Sequence, residues 1–124
     1  MKVTETVNTQ TDYTAVIELI DHYFDGLYQG DVEKLRRIFH EDAFLKGNGY
    51  RKSRDEWLDA VANRPKPADN NFPFGFKTES LDIIGDQAVT KLNVPLPAAH
   101  FIDYLSLLKE DGEWRIVNKL FTTI

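Results

Sequence analysis

Between Asp12 and Gln29 the apolar residues Tyr13, Val16, Ile17, Ile20, Tyr23, Phe24, Leu27 and Tyr28 recur at intervals of three and four. That spacing predicts an amphipathic helix of about five turns. Gly30 supplies a stop, and Asp31 is placed to cap a second, shorter helix that carries Val32, Leu35, Ile38 and Phe39 inward. His40-Glu41-Asp42 ends it, Ala43-Phe44-Leu45 reads as a short strand, and Gly47-Asn48-Gly49 turns the chain. Ser53-Arg54-Asp55-Glu56 has the spacing of a capping box and opens a third helix, whose stripe is Trp57, Leu58, Val61 and Ala62. Asn63 to Pro73 holds Pro65, Pro67 and Pro73 without periodicity, a loop long enough to cover a site. Phe72, Phe74 and Phe76 follow as possible plugs for any small cavity.

The second half alternates as strands do, with hairpin turns expected at Gly85-Asp86 and Asp111-Gly112. A two-residue turn at Asp111-Gly112 pairs Glu110 with Glu113 and fixes every later partner. Trp114 then faces Lys109, Ile116 faces Leu107, Asn118 faces Leu105 and Leu120 faces Asp103, all on one side of the sheet. The opposite side carries Ile102, Tyr104, Ser106 and Leu108 against Phe121, Lys119, Val117 and Arg115. The first side makes the better core. The second is too apolar for a purely solvated surface, and a second copy of the chain is its expected cover. Three helices followed by antiparallel strands make an α+β domain.

Composition narrows the functional classes. The chain has 124 residues, enough for one core that needs no metal or disulfide. Its net charge is −5 with both signs interleaved, so it lacks the clustered basic surface that nucleic acids or anionic membranes require. With no cysteine, thiolate metal sites and cysteine nucleophiles are excluded. No membrane-length apolar run or signal-peptide core is present, so a cytoplasmic protein is expected, with residues 1–11 a flexible segment ahead of a single domain over 12–124.

The segment from His22 to Asp31 (HYFDGLYQGD), with Leu35 to His40 and Asp42-Ala43, resembles the first half of the nuclear transport factor 2-like superfamily (SnoaL-like). Asp103 to Lys109 (DYLSLLK) and Asp111 to Lys119 (DGEWRIVNK) resemble its last hairpin, and the nearest branch is the bacterial one labelled putative lumazine-binding. The resemblance implies a cystatin-like cone, in which three N-terminal helices pack on a strongly curved antiparallel sheet with a cavity at its open end. It also implies a homodimer through the outer sheet face. It does not imply one activity, since the scaffold hosts isomerases, dehydratases, cyclases, binding modules and adaptors. Ketosteroid isomerases are similar around Asp42-Ala43-Phe44-Leu45 but carry a catalytic aspartate just after it. Lys46 and Gly47 stand there in this chain, so that activity is not expected.

Asp103 and Asn118 are the most informative polar pair, because both fall on the face that packs against helices, where an unpaired polar group costs a few kcal/mol. A carboxylate in an apolar pocket can serve as acid or base, which makes Asp103 one catalytic candidate. His40, beside Asp42, is the other, although a histidine ending a helix also has a purely structural use. Tyr23 and Trp57 sit on buried stripes and could offer polar tips to a flat ligand. The expected ligand-binding set is therefore Tyr23, His40, Trp57, Asp103 and Asn118. His22 groups with Glu18, Asp25 and Gln29 on a solvated helix side. No pair of histidines or other metal-ligand spacing is present, no nucleophile elbow and no phosphate loop, so neither metal nor cofactor is expected. The leading expectation is a small apolar or aromatic ligand in a cavity. The alternatives are a proton-transfer enzyme acting on a cyclic or polyketide-like substrate and a protein–protein adaptor.

Overall fold

The computed structural model describes residues 10–124. Helix α1 spans Gln10–Gln29, α2 Val32–Ile38 and α3 Arg54–Asn63. The strands are β1 (Phe39–Gly47), β2 (Tyr50–Ser53), β3 (Lys77–Ile84), β4 (Gln87–Pro95), β5 (His100–Glu110) and β6 (Glu113–Thr123). They form one sheet in the order β2-β1-β6-β5-β4-β3, antiparallel throughout except where β1 runs parallel to β6. This is the α+β arrangement of helices against a curved sheet. The expected flexible segment lies outside the described residues up to residue 9, and α1 begins at Gln10, two residues before the expected start. No helix among the described residues is long and apolar enough to cross a membrane.

Local chemistry sets most boundaries. Asp31 accepts a hydrogen bond from the Lys34 amide and starts α2. Ser53 and Glu56 exchange the two bonds of a capping box and start α3. The turns at Gly85-Asp86 and Asp111-Gly112 each join two strands directly, and both Asp111 and Gly112 take positive φ, as a tight hairpin requires.

The core is one cluster. Val16, Leu19, Ile20, Tyr23, Phe24 and Leu27 of α1 meet the inward residues of the sheet, including Leu45, Leu92, Leu105, Leu107 and Ile116. Asp12 ties the start of α1 to the last hairpin, accepting from Lys109 Nζ at 3.0 Å and from the Trp114 indole at 3.4 Å. Lys109 and Trp114 face each other across that hairpin, as the two-residue turn predicts.

The structure departs from expectation in four places. Phe39 begins β1 rather than ending α2, so β1 is nine residues long and β2, unforeseen, pairs with it. Tyr13 and Ile17 are exposed on α1 and Ala62 on α3, because each lies at the margin of its stripe. The 63–73 loop contains a short 3-10 turn, Pro67–Asn70, and is fastened to α1 by the Tyr28 hydroxyl donating to the Phe72 carbonyl at 2.6 Å. The largest departure is in β6. The ladder with β5 runs as expected to Leu107↔Ile116 and then slips, so that Ser106 pairs with Asn118, Leu105 with Lys119 and Asp103 with Phe121. One extra residue at Val117 is a β-bulge, and every side chain beyond it changes face.

Candidate functional site

The slip in β6 builds the site. Asn118 turns outward opposite Ser106, and Leu120 becomes half exposed. Lys119 and Phe121 take the inward places the unbroken register would give to Asn118 and Leu120. Asn118 is thus no part of the inner pocket, contrary to expectation, and the buried polar residue of β6 is a lysine.

Lys119 is 7% exposed and lies diagonally across the ladder from Asp103, which is 1% exposed. Its ammonium is 3.6 Å from Asp103 Oδ2, an ion-pair distance. The same Oδ2 accepts a 2.6 Å hydrogen bond from the Tyr23 hydroxyl, delivered from the buried face of α1. Asp103 Oδ1 is buried and has no hydrogen-bond partner among the described residues. Three rings surround the ammonium: Trp57 at 4.7 Å from Nζ to the ring centroid, and Tyr23 and Phe121 at 5.6 Å each. Trp57 is held by the capped first turn of α3 and by Phe39, whose ring centroid lies 5.2 Å away.

Above this group is a cavity of about 210 Å³ lined by Tyr50, Trp57, Arg64, Val94, Leu96, Phe101, Asp103, Lys119 and Phe121. Its walls are aromatic and aliphatic, and its polar groups are Asp103, Lys119 and Arg64. Phe101 and Phe121 meet edge to face, as do Tyr50 and Phe121. Phe74 and Phe76 do not plug it. Phe76 stacks on Phe24, and both pack around Tyr28 near the end of α1. Arg64 is the only residue of the 63–73 loop that borders the cavity after α3 ends.

Burial controls the electrostatics. Desolvation pulls the Lys119 ammonium below its ordinary pKa; Asp103 opposes that shift, and the Arg64 charge adds to it. Burial also holds Arg64 below its ordinary value. The Tyr23 hydroxyl is pushed well above its own by burial first, then by the charge and hydrogen bond of Asp103. Tyr23 therefore stays a donor at any ordinary pH and fixes Oδ2, while Oδ1 is left without a partner among the described residues.

The candidates separate cleanly. Asp103 and Trp57 line the cavity, and Tyr23 supports it from beneath. His40 does not belong to it. As the second residue of β1 it points away from the side that buries Phe39, and its Nδ1 contacts the Asp42 carboxylate at 2.6 Å. It borders a wide groove of about 830 Å³ on the opposite side, with His22, Arg36, Arg54, Glu113 and Arg115. That groove is polar, and three of its four arginines are paired: Arg36 with Glu33 and Asp55, Arg54 with Asp55, Arg115 with Glu113. Reading the sequence missed Lys119, Arg64, Tyr50, Phe101 and Phe121. Nothing local in Ile116 to Phe121 signals the bulge that brings two of them inward.

A curved sheet closed over helices, with a small polar-floored cavity between them, defines a nuclear transport factor 2-like protein. Within that class the chain belongs to the family described as "Putative lumazine-binding", whose model matches residues 11–122. It is similar to the aldolase FrzH of Cladobotryum sp., 29% identical over 121 residues that cover 91% of this chain and 92% of that protein. Its fold matches an NTF2-like protein of unknown function from Methylobacillus flagellatus KT, with a TM-score of 0.83, 22% identity and coverage of 98% of this chain and 99% of that one. An NTF2-like protein of unknown function from Shewanella baltica OS155 matches with a TM-score of 0.82 and 23% identity, covering 95% and 98%.

Proposed function

We propose that the chain binds a small, flat organic molecule in the cavity over Asp103 and Lys119. The carrying observation is a buried carboxylate with one oxygen unpartnered among the described residues, set beside a buried ammonium in a ring-walled space that Arg64 also borders. Trp57, Phe101 and Phe121 suit the faces and edges of a ring, while Asp103, Lys119 and Arg64 suit its polar atoms. Size limits the ligand. About 210 Å³ is below the roughly 300–1,000 Å³ of drug-sized sites, so one ring or a compact fused pair fits where a steroid does not. A pterin-like heterocycle meets both limits, and the description of the family points the same way.

A thermal-shift screen with pterins, flavins, steroids and aromatic polyketides tests this. A saturable rise in melting temperature is expected for the smaller planar compounds and is lost in Lys119→Met. A screen in which no compound shifts the wild type, or in which Lys119→Met responds equally, would sink the reading.

A second reading is proton transfer on a bound carbonyl compound, with Asp103 as base and Lys119 and Arg64 stabilising the resulting oxyanion. It draws on the free Oδ1 and on the similarity to an aldolase. His40, on the far side of β1, has no part in it.

A further inference from the structure

We infer that Lys119 is a nucleophilic amine that forms an imine with a small aldehyde or ketone held in the cavity. The inference rests on the cavity being a ligand site and assigns that ligand a reactive group.

The geometry carries it. Nζ stands 3.6 Å from Oδ2, Tyr23 occupies that oxygen, and Oδ1 has no partner among the described residues. Both Lys119 and Asp103 line the cavity. Trp57 lies under the nitrogen at 4.7 Å and gives a carbonyl substituent a flat surface to rest on. Rings and aliphatic side chains limit the water that would hydrolyse an imine. The depressed basicity of Lys119, caused first by burial, raises the share of free amine.

The step balances without any further reagent. The Lys119 lone pair attacks the carbonyl carbon, a C–N bond forms as the C=O π bond breaks, and the first N–H proton passes by way of the Asp103 carboxylate to the oxygen, which becomes a hydroxyl. The second N–H proton follows the same route to that hydroxyl. Water leaves and the C=N bond closes. Tyr23 stays bonded to Oδ2 throughout and holds the carboxyl in place, so it is a positioning residue.

The test is reductive trapping. The full chain is incubated with benzaldehyde and cyanoborohydride, and the modified lysines are mapped by peptide mass spectrometry over time. Lys119 is expected to be alkylated at least about tenfold faster than Lys34 or Lys91 in the same molecules. The comparison is internal to the wild type and does not depend on any variant folding. Benzyl alcohol, which has the same body and no carbonyl, is expected to move the Trp57 indole resonance saturably and to slow labelling of Lys119 alone. If benzyl alcohol binds but Lys119 is labelled no faster than the surface lysines, the imine is overturned and the binding site stands. If benzyl alcohol neither binds nor protects and no lysine is favoured, both fall. Fast labelling of Lys119 that Asp103→Asn leaves unchanged overturns the assignment of Asp103 as proton carrier.

Discussion

Lys119 and Asp103 are diagonal neighbours on the inner face of the β5–β6 ladder, with 3.6 Å between Nζ and Oδ2, and almost no solvent reaches either. Removing a charge from water costs several kcal/mol, and an ion pair recovers that only while both partners remain. Lys119→Met is therefore expected to lower unfolding free energy by about 3–5 kcal/mol, and Asp103→Leu by a similar amount. The triple change Tyr23→Phe, Asp103→Leu, Lys119→Met leaves no polar atom of this group unpaired. It should be more stable than either single variant. Urea unfolding of the set checks this, and losses that simply add would show that the groups do not interact.

The same residues give the protein an alkaline signature. Lys119 titrates lower in the fold than its ordinary 10.5, so between those two values the unfolded chain binds more protons. Stability contributed by this group is fully present above 10.5 and lost as pH falls through the folded value. Tyr23 titrates above its ordinary 10.0, so it acts in the opposite sense. Its contribution is fully present below 10.0 and is lost as pH rises toward the folded value. Difference curves of unfolding free energy against pH, wild type minus Lys119→Met and wild type minus Tyr23→Phe, should slope upward and downward respectively. Two flat differences would contradict both shifts.

The helices and turns were legible in the sequence because short-range chemistry specifies them. Asp31, Ser53 with Glu56, and Asp111-Gly112 each act within four residues, and each does in the structure what its type predicts. Asp103 was legible as well, since it precedes the slip. The face of everything after Ile116 was not. It depends on one extra residue in β6, placed where β6 also pairs with β1 across a second irregularity between Phe39 and Phe44. That is a property of sheet curvature, not of any short motif. Arg64 and Tyr50 were hidden for a related reason: they reach the cavity from the end of α3 and from a strand that the sequence pattern did not announce.

Asn118 and Lys119 offer a direct test of the bulge. Asn118→Ala removes a side chain on the outer face and is expected to change stability by no more than about 0.5 kcal/mol, with no effect on ligand-induced thermal shift. Lys119→Met should abolish that shift. If Asn118→Ala instead removes ligand binding, the regular register is the true one.

Gly47 is expected to control the shape of the cavity without touching its polar group. A Cβ at this position would lie 2.9 Å from Phe121 Cζ and within 3.2 Å of two neighbouring ring atoms. The ring edges of Tyr50 and Phe101 already meet Phe121, so it has little room to retreat. Gly47→Ala should weaken binding of planar ligands while leaving the Lys119 titration intact. Calorimetric titration reads the first, and the alkaline stability profile reads the second. An unchanged affinity would mean that Phe121 moves freely.

The outer face of the sheet leads to a prediction about assembly. Phe44 on β1, Val89 on β4, Tyr104 on β5 and Leu120 on β6 are 47%, 52%, 41% and 50% exposed, and the strand pairings set them side by side on one surface. Lys46, Lys91 and Asp82 share that side of the sheet, so both signs of charge accompany the apolar centre. We propose a second copy of the chain as the occupant, because a two-fold axis sets each patch against itself and lets the lysines of one copy meet the acidic residues of the other. Sedimentation velocity should show a dimer for the wild type, and Leu120→Glu should shift it to monomer by placing unpaired charge at the centre of the contact. The cavity opens on the other face, so the dissociated variant should still show ligand-induced thermal shifts. A wild type that sediments as a monomer at micromolar concentration would leave this surface without its proposed partner.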